Sequence, residues 1–263
     1  MSSRIDDINR RTMKRRAVVA QYARNDQLMP PERAALDRVL GEVRGRAILD
    51  IGVGGGRTVD ALLEVSPDYL GIDYSEAMVQ AARALRPHAR FRHADARDLS
   101  FLADGSIALA MFSCNGIAMV GHEDRLKILR ELHRVLEPGG VLIMSTPNLD
   151  GPELTSGFRF PPFEPSLNPA RLAVRSLRFL SRTALRVFNR WWFREVGYRA
   201  DDHVIHNDVC HDFGVMLYFI SLANQRAQLA SVGFQPDALA FDLSGNVIVD
   251  RSTEDSILFL ARK

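Results

Sequence analysis

The sequence predicts an α/β protein built on an open, mostly parallel sheet, and three observations lead there. An apolar run, Ala47-Ile48-Leu49, ends in Asp50 and breaks into Gly52, Gly54, Gly55 and Gly56, which reads as a buried strand turning tightly into a helix. Short apolar runs then alternate with helix-length stretches as far as Met144. Asp50, Asp73 and Asp95 follow three successive expected strands. Ligands of open α/β sheets bind at the carboxyl ends of strands, so these three carboxylates should converge on one crevice.

With 263 residues the chain can bury one sizeable core and still carry an insertion. A composition of 46% hydrophobic and 25% charged residues is that of a globular protein and excludes a disordered one. The formal charge of +2 selects no class of partner. Cys114 and Cys210 fit no disulfide framework or zinc spacing and suggest a reducing compartment. The opening MSSRIDDINRRTMKRR has no apolar h-region, and no run approaches a membrane span, so a cytoplasmic location is expected.

Residues Met1–Arg16 crowd Arg10, Arg11, Lys14, Arg15 and Arg16 together; a solvated arm or helix face is expected, with an anionic contact as the alternative. Pro30, Pro31 and Glu32 open a helix over Glu32–Glu42 whose inner side carries Ala34, Ala35, Leu36, Val39 and Leu40. After the first strand, glycines let the backbone lie against a ligand that a side chain would hold off. Thr58–Val65 is the next helix, and Tyr69–Ile72 is a second strand ending in Asp73, where Asp73-Tyr74-Ser75-Glu76 also reads as a helix start. A third strand, Arg90–His93, leads into Ala94-Asp95-Ala96-Arg97-Asp98. Ser106–Phe112 is a fourth strand, followed by Ser113-Cys114-Asn115-Gly116; no histidine stands beside Cys114 in the sequence, so no covalent role is expected of it. His122–Val135 forms a helix, and Leu136–Gly140 turns into a fifth strand, Val141–Met144. Leu222–Val232 is a last helix, and Ala238–Asp242 and Ser256–Ala261 close the sheet as antiparallel strands.

A dinucleotide fingerprint starting at Gly52 would need glycine at position 57, where Arg57 stands; the glycines fall instead as Gly52-x-Gly54-x-Gly56. That spacing, the acidic residues at the strand ends and the phrase HRVLEPGGVLIMSTPN resemble the motifs of the class I S-adenosylmethionine (SAM)-dependent methyltransferases, in their small-molecule branch. The resemblance covers most of Ala47–Asn148, and QRAQLASVGF is similar to that family's last helix. It implies a Rossmann-like seven-stranded sheet, mostly parallel with an antiparallel C-terminal strand. It also implies SAM as cofactor and S-adenosyl-L-homocysteine as product. Carried onto this chain, it puts Asp50, Gly52, Gly54 and Gly56 by the amino-acid part of the cofactor. Asp73, about 20 residues beyond the loop, would accept hydrogen bonds from both ribose hydroxyls. Tyr74 and Met78 would flank the adenine, and Asp95, beside the Ala96 backbone, would meet its amino group, with Asp98 as runner-up. Ser113 and Asn115 would lie under the transferred methyl group, and Tyr22 would close over the cofactor or simply pack.

Leu149–His211 departs from the minimal fold. The expected units are residues 1–148 (N-terminal helices and cofactor-binding core), 149–211 (a mainly helical lid over the acceptor site) and 212–263 (completion of the core). The lid opens with a Pro- and Phe-rich loop and continues as a helix over Ala170–Glu195 with seven arginines, from Arg171 to Arg194. The preferred reading is a lid with a solvated arginine face and an apolar face closing the pocket; contact with an anionic membrane surface is the alternative. The domain is not basic as a whole, so no nucleic-acid partner is expected. In Asp201–Asp212 the spacing of histidines and carboxylates matches no zinc or iron motif, so no metal is expected and the segment reads as a polar hinge. If methyl transfer needs a base, His211 is the first choice, His206 the second and His122 the third. The expected activity is O-methylation of a small-molecule acceptor, a sugar or secondary metabolite. The alternatives are a lipid-linked or amphipathic acceptor and a SAM-binding module without catalysis.

Overall fold

The computed structural model describes residues 2–22, 27–155 and 157–263. Helices α1 (Ser2–Met13), α2 (Arg16–Tyr22) and α3 (Pro30–Val43) precede an alternating core. That core runs β1 (Ile48–Ile51), α4 (Val59–Val65), β2 (Tyr69–Asp73), α5 (Glu76–Leu85), β3 (Phe91–His93), β4 (Ile107–Phe112), α6 (His122–Val135) and β5 (Leu136–Pro147). The insertion contributes α7 (Pro169–Trp192), β6 (Tyr198–Arg199) and β7 (His203–Asp208), then the one-turn α8 (Cys210–Phe213) and β8 (Val215–Ile220). The chain ends with α9 (Leu222–Ser231), β9 (Leu239–Phe241), β10 (Val247–Ile248) and β11 (Ser256–Arg262).

The main sheet has eight strands in the order β10-β9-β11-β5-β4-β1-β2-β3. Strands β1 to β5 are parallel to their neighbours within that group, and β11, β9 and β10 pair antiparallel. The eighth strand, absent from the seven expected, is the short edge hairpin partner β10, formed by the turn at Ser244–Asn246. Strand β5 begins at Leu136, inside the expected turn, because Leu136 already pairs with Ile107 before a bulge re-registers the strand at Val141.

Parallel strands covered on both sides read as unbroken apolar runs, and here alternate residues feed two cores. Leu49, Ile51, Ala110 and Phe112 pack with α6 and α9, while Ile48, Leu109 and Met111 pack with α3, α4 and α5. A third cluster joins β7 and β8 to Ile5 of α1. The expected polar hinge is therefore largely strand β7, in a second, three-stranded antiparallel sheet β6-β7-β8. The expected boundary at residue 211 cuts through that sheet, so β8 belongs with the insertion rather than with completion of the core. The N-terminal arm is also not simply solvated: Asn9 is buried on the insertion, its Nδ2 donating to Met119 O and Met216 O. Among the described residues no helix is long and apolar enough to cross a membrane.

Candidate functional site

Two cavities meet at the carboxyl ends of β1, β2 and β4 and share a wall made by Tyr22, Gly52, Gly54, Ser113 and Cys114. The first extends past Asp73, Tyr74, Met78, Asp95 and Ala96. The second is bounded by Arg15, Arg57, Leu185, Arg186, Cys210 and His211.

The wall is backbone where the chain must come close. Gly52 and Gly54 have φ of 66° and 54°, in the left-handed region that favours glycine. A Cβ on Gly52 would stand 3.0 Å from the Phe112 ring. The Gly54 N–H donates to Asp73 Oδ2 at 3.0 Å and the Ser75 N–H to Asp73 Oδ1 at 2.8 Å, tying the loop after β1 to the tip of β2. Burial pushes the Asp73 carboxyl up to about 6, against those two N–H donors. A carboxylate has about four acceptor sites, so Asp73 keeps capacity toward the cavity.

Asp50 is fully buried, and its Oδ2 accepts from Thr58 Oγ1 at 2.5 Å and Tyr69 OH at 2.8 Å. Its carboxylate fastens β1 to α4 and β2, burial raises it to about 6, and the residue also lines the second cavity beside Gly52 and Gly54. Gly56 and Asn115, by contrast, border neither cavity. Gly56 makes room for Arg86 and Val59, both 3.3 Å from its would-be Cβ. Asn115, at φ 57°, donates its N–H to Ser145 Oγ and accepts from Ser256 Oγ, which pins the corner after β4.

At the far end of the first cavity Met78 is buried and Ala96 nearly so. Asp95 is already paired: its Oδ2 accepts from Arg10 Nη2 at 2.5 Å and Arg97 Nη2 at 2.6 Å. Burial works upward on this carboxyl, but the arginines outweigh it and hold it at about 2. The Arg10 guanidinium also lies 4.6 Å from the centre of the Tyr74 ring. An arginine of the N-terminal basic run thus closes this end, and nothing in its local sequence distinguishes it from its neighbours. The Tyr74 hydroxyl is buried without a hydrogen-bond partner among the described residues.

The shared wall rests on an ion pair that the sequence reading did not single out. Arg57 forks onto Glu32, Nη1 to Oε2 at 2.7 Å and Nη2 to Oε1 at 2.6 Å, and Glu32 is fully buried. Ser113 Oγ joins both, accepting from Arg57 Nη2 at 2.7 Å and donating to Glu32. The signal lay in Arg57 itself, standing where another loop would carry glycine. Burial outweighs the nearby Arg57 charge and pushes the Cys114 thiol up, so it stays protonated and unsuited to nucleophilic attack.

The three candidate histidines separate widely. His211 borders the second cavity, its Nε2 3.4 Å from Tyr22 OH, and burial lowers its pKa. It sits on a left-handed turn: φ is 51°, 59° and 57° at His211, Asp212 and Phe213. Each such residue costs about 1 kcal/mol or more, and three side chains hold the turn in place. Asn189 Nδ2 donates to Asp212 O, Asn207 Nδ2 to Phe213 O, and Thr12 Oγ1 to Gly214 O. His206 lies elsewhere, against Arg190 Nη1 at 3.0 Å in a groove with Trp191 and Phe193; the alternation along β7 turns it away from both cavities. His122 donates to or accepts from Tyr218 OH at 2.8 Å and stacks on His203. Ligand atoms of His122, Asp202 and His203 lie within 4.8 Å of one another. The two imidazoles stack at 4.4 Å and 10°, however, so their in-plane lone pairs do not converge on one ion.

The profile of the family described as a methyltransferase domain matches residues 48–140. These residues are a class I SAM-dependent methyltransferase domain. A probable S-adenosylmethionine-dependent methyltransferase of Mycolicibacterium smegmatis is 34% identical over 112 residues, 42% of each chain. A demethylmenaquinone methyltransferase of Clavibacter sepedonicus is 37% identical over 130 residues, 47% of this chain and 50% of that one. The chain thus matches half or less of the length of these curated relatives. Among solved structures, 1,6-didemethyltoxoflavin-N1-methyltransferase of Burkholderia thailandensis, which holds S-adenosylhomocysteine, aligns with TM-score 0.52 at 13% identity, over 89% of this chain and 78% of that one. At that identity the likeness is one of fold. The matched span supplies most of the first cavity and of the shared wall, to which α1 and α2 add Asp6, Arg10, Met13 and Tyr22, whereas α7 and α8 lie outside it.

Proposed function

We propose that the protein transfers a methyl group from SAM, held in the first cavity, to a small-molecule acceptor in the second. Bound there, SAM supplies an electrophilic methyl on a sulfonium. The chain's part is alignment, exclusion of water and removal of a proton. Asp73 would accept the two ribose hydroxyls, Met78 and Ala96 would flank the adenine, and Gly52 and Gly54 would lie against the amino-acid part. Asp95, whose four acceptor sites are taken by Arg10 and Arg97, would meet the adenine amino group in place of the Arg10 bond.

The observation that carries the reading is His211, a neutral imidazole across the shared wall and within reach of Tyr22 OH. A base in that position fits an acceptor that loses a proton on attack, which favours O-methylation of a hydroxyl-bearing metabolite or sugar. A second reading, an amphipathic acceptor, is supported by Leu185 of α7 on the wall of the second cavity and by the exposed apolar residues on the far side of the same helix. The free Cys114 and Cys210 favour a cytoplasmic setting. Incubation with methyl-labelled SAM and fractionated metabolite or lipid extracts tests this: label should enter an acceptor in wild type and not in His211→Asn. Tight cofactor binding with no labelled product in any fraction would replace the enzyme by a SAM-binding module.

A further inference from the structure

Helix α7 turns its charge inward and its oil outward, the reverse of an ordinary surface helix. Arg182 and Arg186 both bond Asp212, and Arg190 bonds Asn207 O at 3.1 Å, so the arginine stripe docks on the protein. On the opposite side Leu177, Leu180, Ala184, Val187, Phe188 and Trp191 recur at three- and four-residue steps, all exposed. Leu177 is 67% exposed, Leu180 61% and Trp191 56%. Ridges of this kind rarely face water unless something covers them.

The rim of the face tells what that is. Arg171 and Arg178, which share the stripe of Arg182 but stand nearer the start of the helix, are exposed, and their side chains have no partner among the described residues. Arg194, past the other end, lies over the Trp191 ring at 5.2 Å. No acidic residue occurs anywhere on α7. A two-fold pairing of this face with a second copy would press two cationic rims together, whereas anionic headgroups would neutralise them. Arginines reaching up beside an apolar face, with tryptophans at one end, are the arrangement of a helix lying in a lipid interface.

We propose that α7 rests in the plane of an anionic lipid surface, its Leu177–Trp191 face in the acyl boundary and Arg171, Arg178 and Arg194 among the headgroups. At 24 residues the contact would be about 36 Å long. The proposal rests on the helix alone and stands or falls independently of methyl transfer.

The chain's only tryptophans are Trp191 and Trp192, both on or beside this face, so their emission reports on it directly. The full chain is mixed with vesicles of phosphatidylcholine alone or with phosphatidylglycerol, and binding is read by co-sedimentation and tryptophan emission. Anionic vesicles should pellet the protein and shift emission to the blue, and neutral vesicles far less. Leu180→Glu with Phe188→Glu should weaken partitioning by about a hundredfold, roughly tenfold for each apolar side chain withdrawn. Its circular dichroism and its binding of S-adenosylhomocysteine should match wild type, which separates lost docking from lost folding. Arg171→Glu with Arg178→Glu should abolish the preference for anionic vesicles. An unshifted emission with anionic vesicles would overturn the proposal. So would a lipid-free dimer in which both tryptophans are already shielded from acrylamide.

Discussion

Replacing Asp73 by alanine removes the carboxylate proposed to hold both ribose hydroxyls. Hydrogen bonds to a charged group are worth about 1.5–3 kcal/mol each. Two of them amount to about 3–6 kcal/mol, or a loss of about two to four orders of magnitude in cofactor affinity. The same substitution strands the Gly54 and Ser75 N–H groups, so part of the cost falls on stability. Asp73→Asn separates the two effects, because it keeps the side chain's volume and one acceptor oxygen. Titration calorimetry with SAM and with S-adenosylhomocysteine, run beside thermal melts, reads both. The pH dependence supplies an independent sign. Because burial raises Asp73 to about 6, cofactor affinity should weaken as pH falls through that value, about tenfold per unit below it. The cofactor-free fold should behave oppositely: the folded pKa exceeds the unfolded one, so the stability contributed by protonated Asp73 is present below about 4 and lost as pH rises through about 6. A folded Asp73→Ala protein with wild-type affinity for both ligands would refute the assignment.

Three further changes test other parts of the site. His211→Asn should lower kcat by about two to four orders of magnitude with cofactor affinity unchanged, and should remove an acid limb of kcat/KM whose midpoint lies below the ordinary histidine value of about 6.5. Arg57→Leu leaves Glu32 charged and unpaired in the core, at a cost of about 3–5 kcal/mol, so the melting temperature should drop by roughly 10 °C; an unchanged melt would show that the pair is not structural. Asp212→Asn frees Arg182 and Arg186 and should speed amide exchange across α7 and Cys210–Gly214 while leaving β1 to β5 protected.

What could be read ahead of the structure was what depends on near neighbours. The glycine spacing, the alternation of strands and helices, and Asp73 at the end of β2 all express a period or a short offset. What could not be read depends on distant partners. Asp50 and Asp73 look alike in sequence, each ending an apolar strand; only the placement of Thr58 and Tyr69 turns one of them into a scaffold residue. The amphipathicity of α7 was plain, but not which face meets the protein. That was decided by Asp212, His206 and Asn207, beyond the helix in the chain and folded back beneath it. The Asp201–Asp212 segment looked like a hinge because its polar residues hid the alternation of β7, which only its pairing with β8 reveals.

The left-handed turn joins two things usually kept apart. Asp212, the anchor of α7, and His211, the imidazole at the second cavity, are consecutive residues, so a single peptide bond links the outer helix to the reaction side of the pocket. A push or tilt on α7 reaches the second cavity through that bond and through Arg182, Leu185 and Arg186, which line it directly. The anchor of the outer helix and the imidazole on the wall of the second cavity are thus one residue apart in the chain.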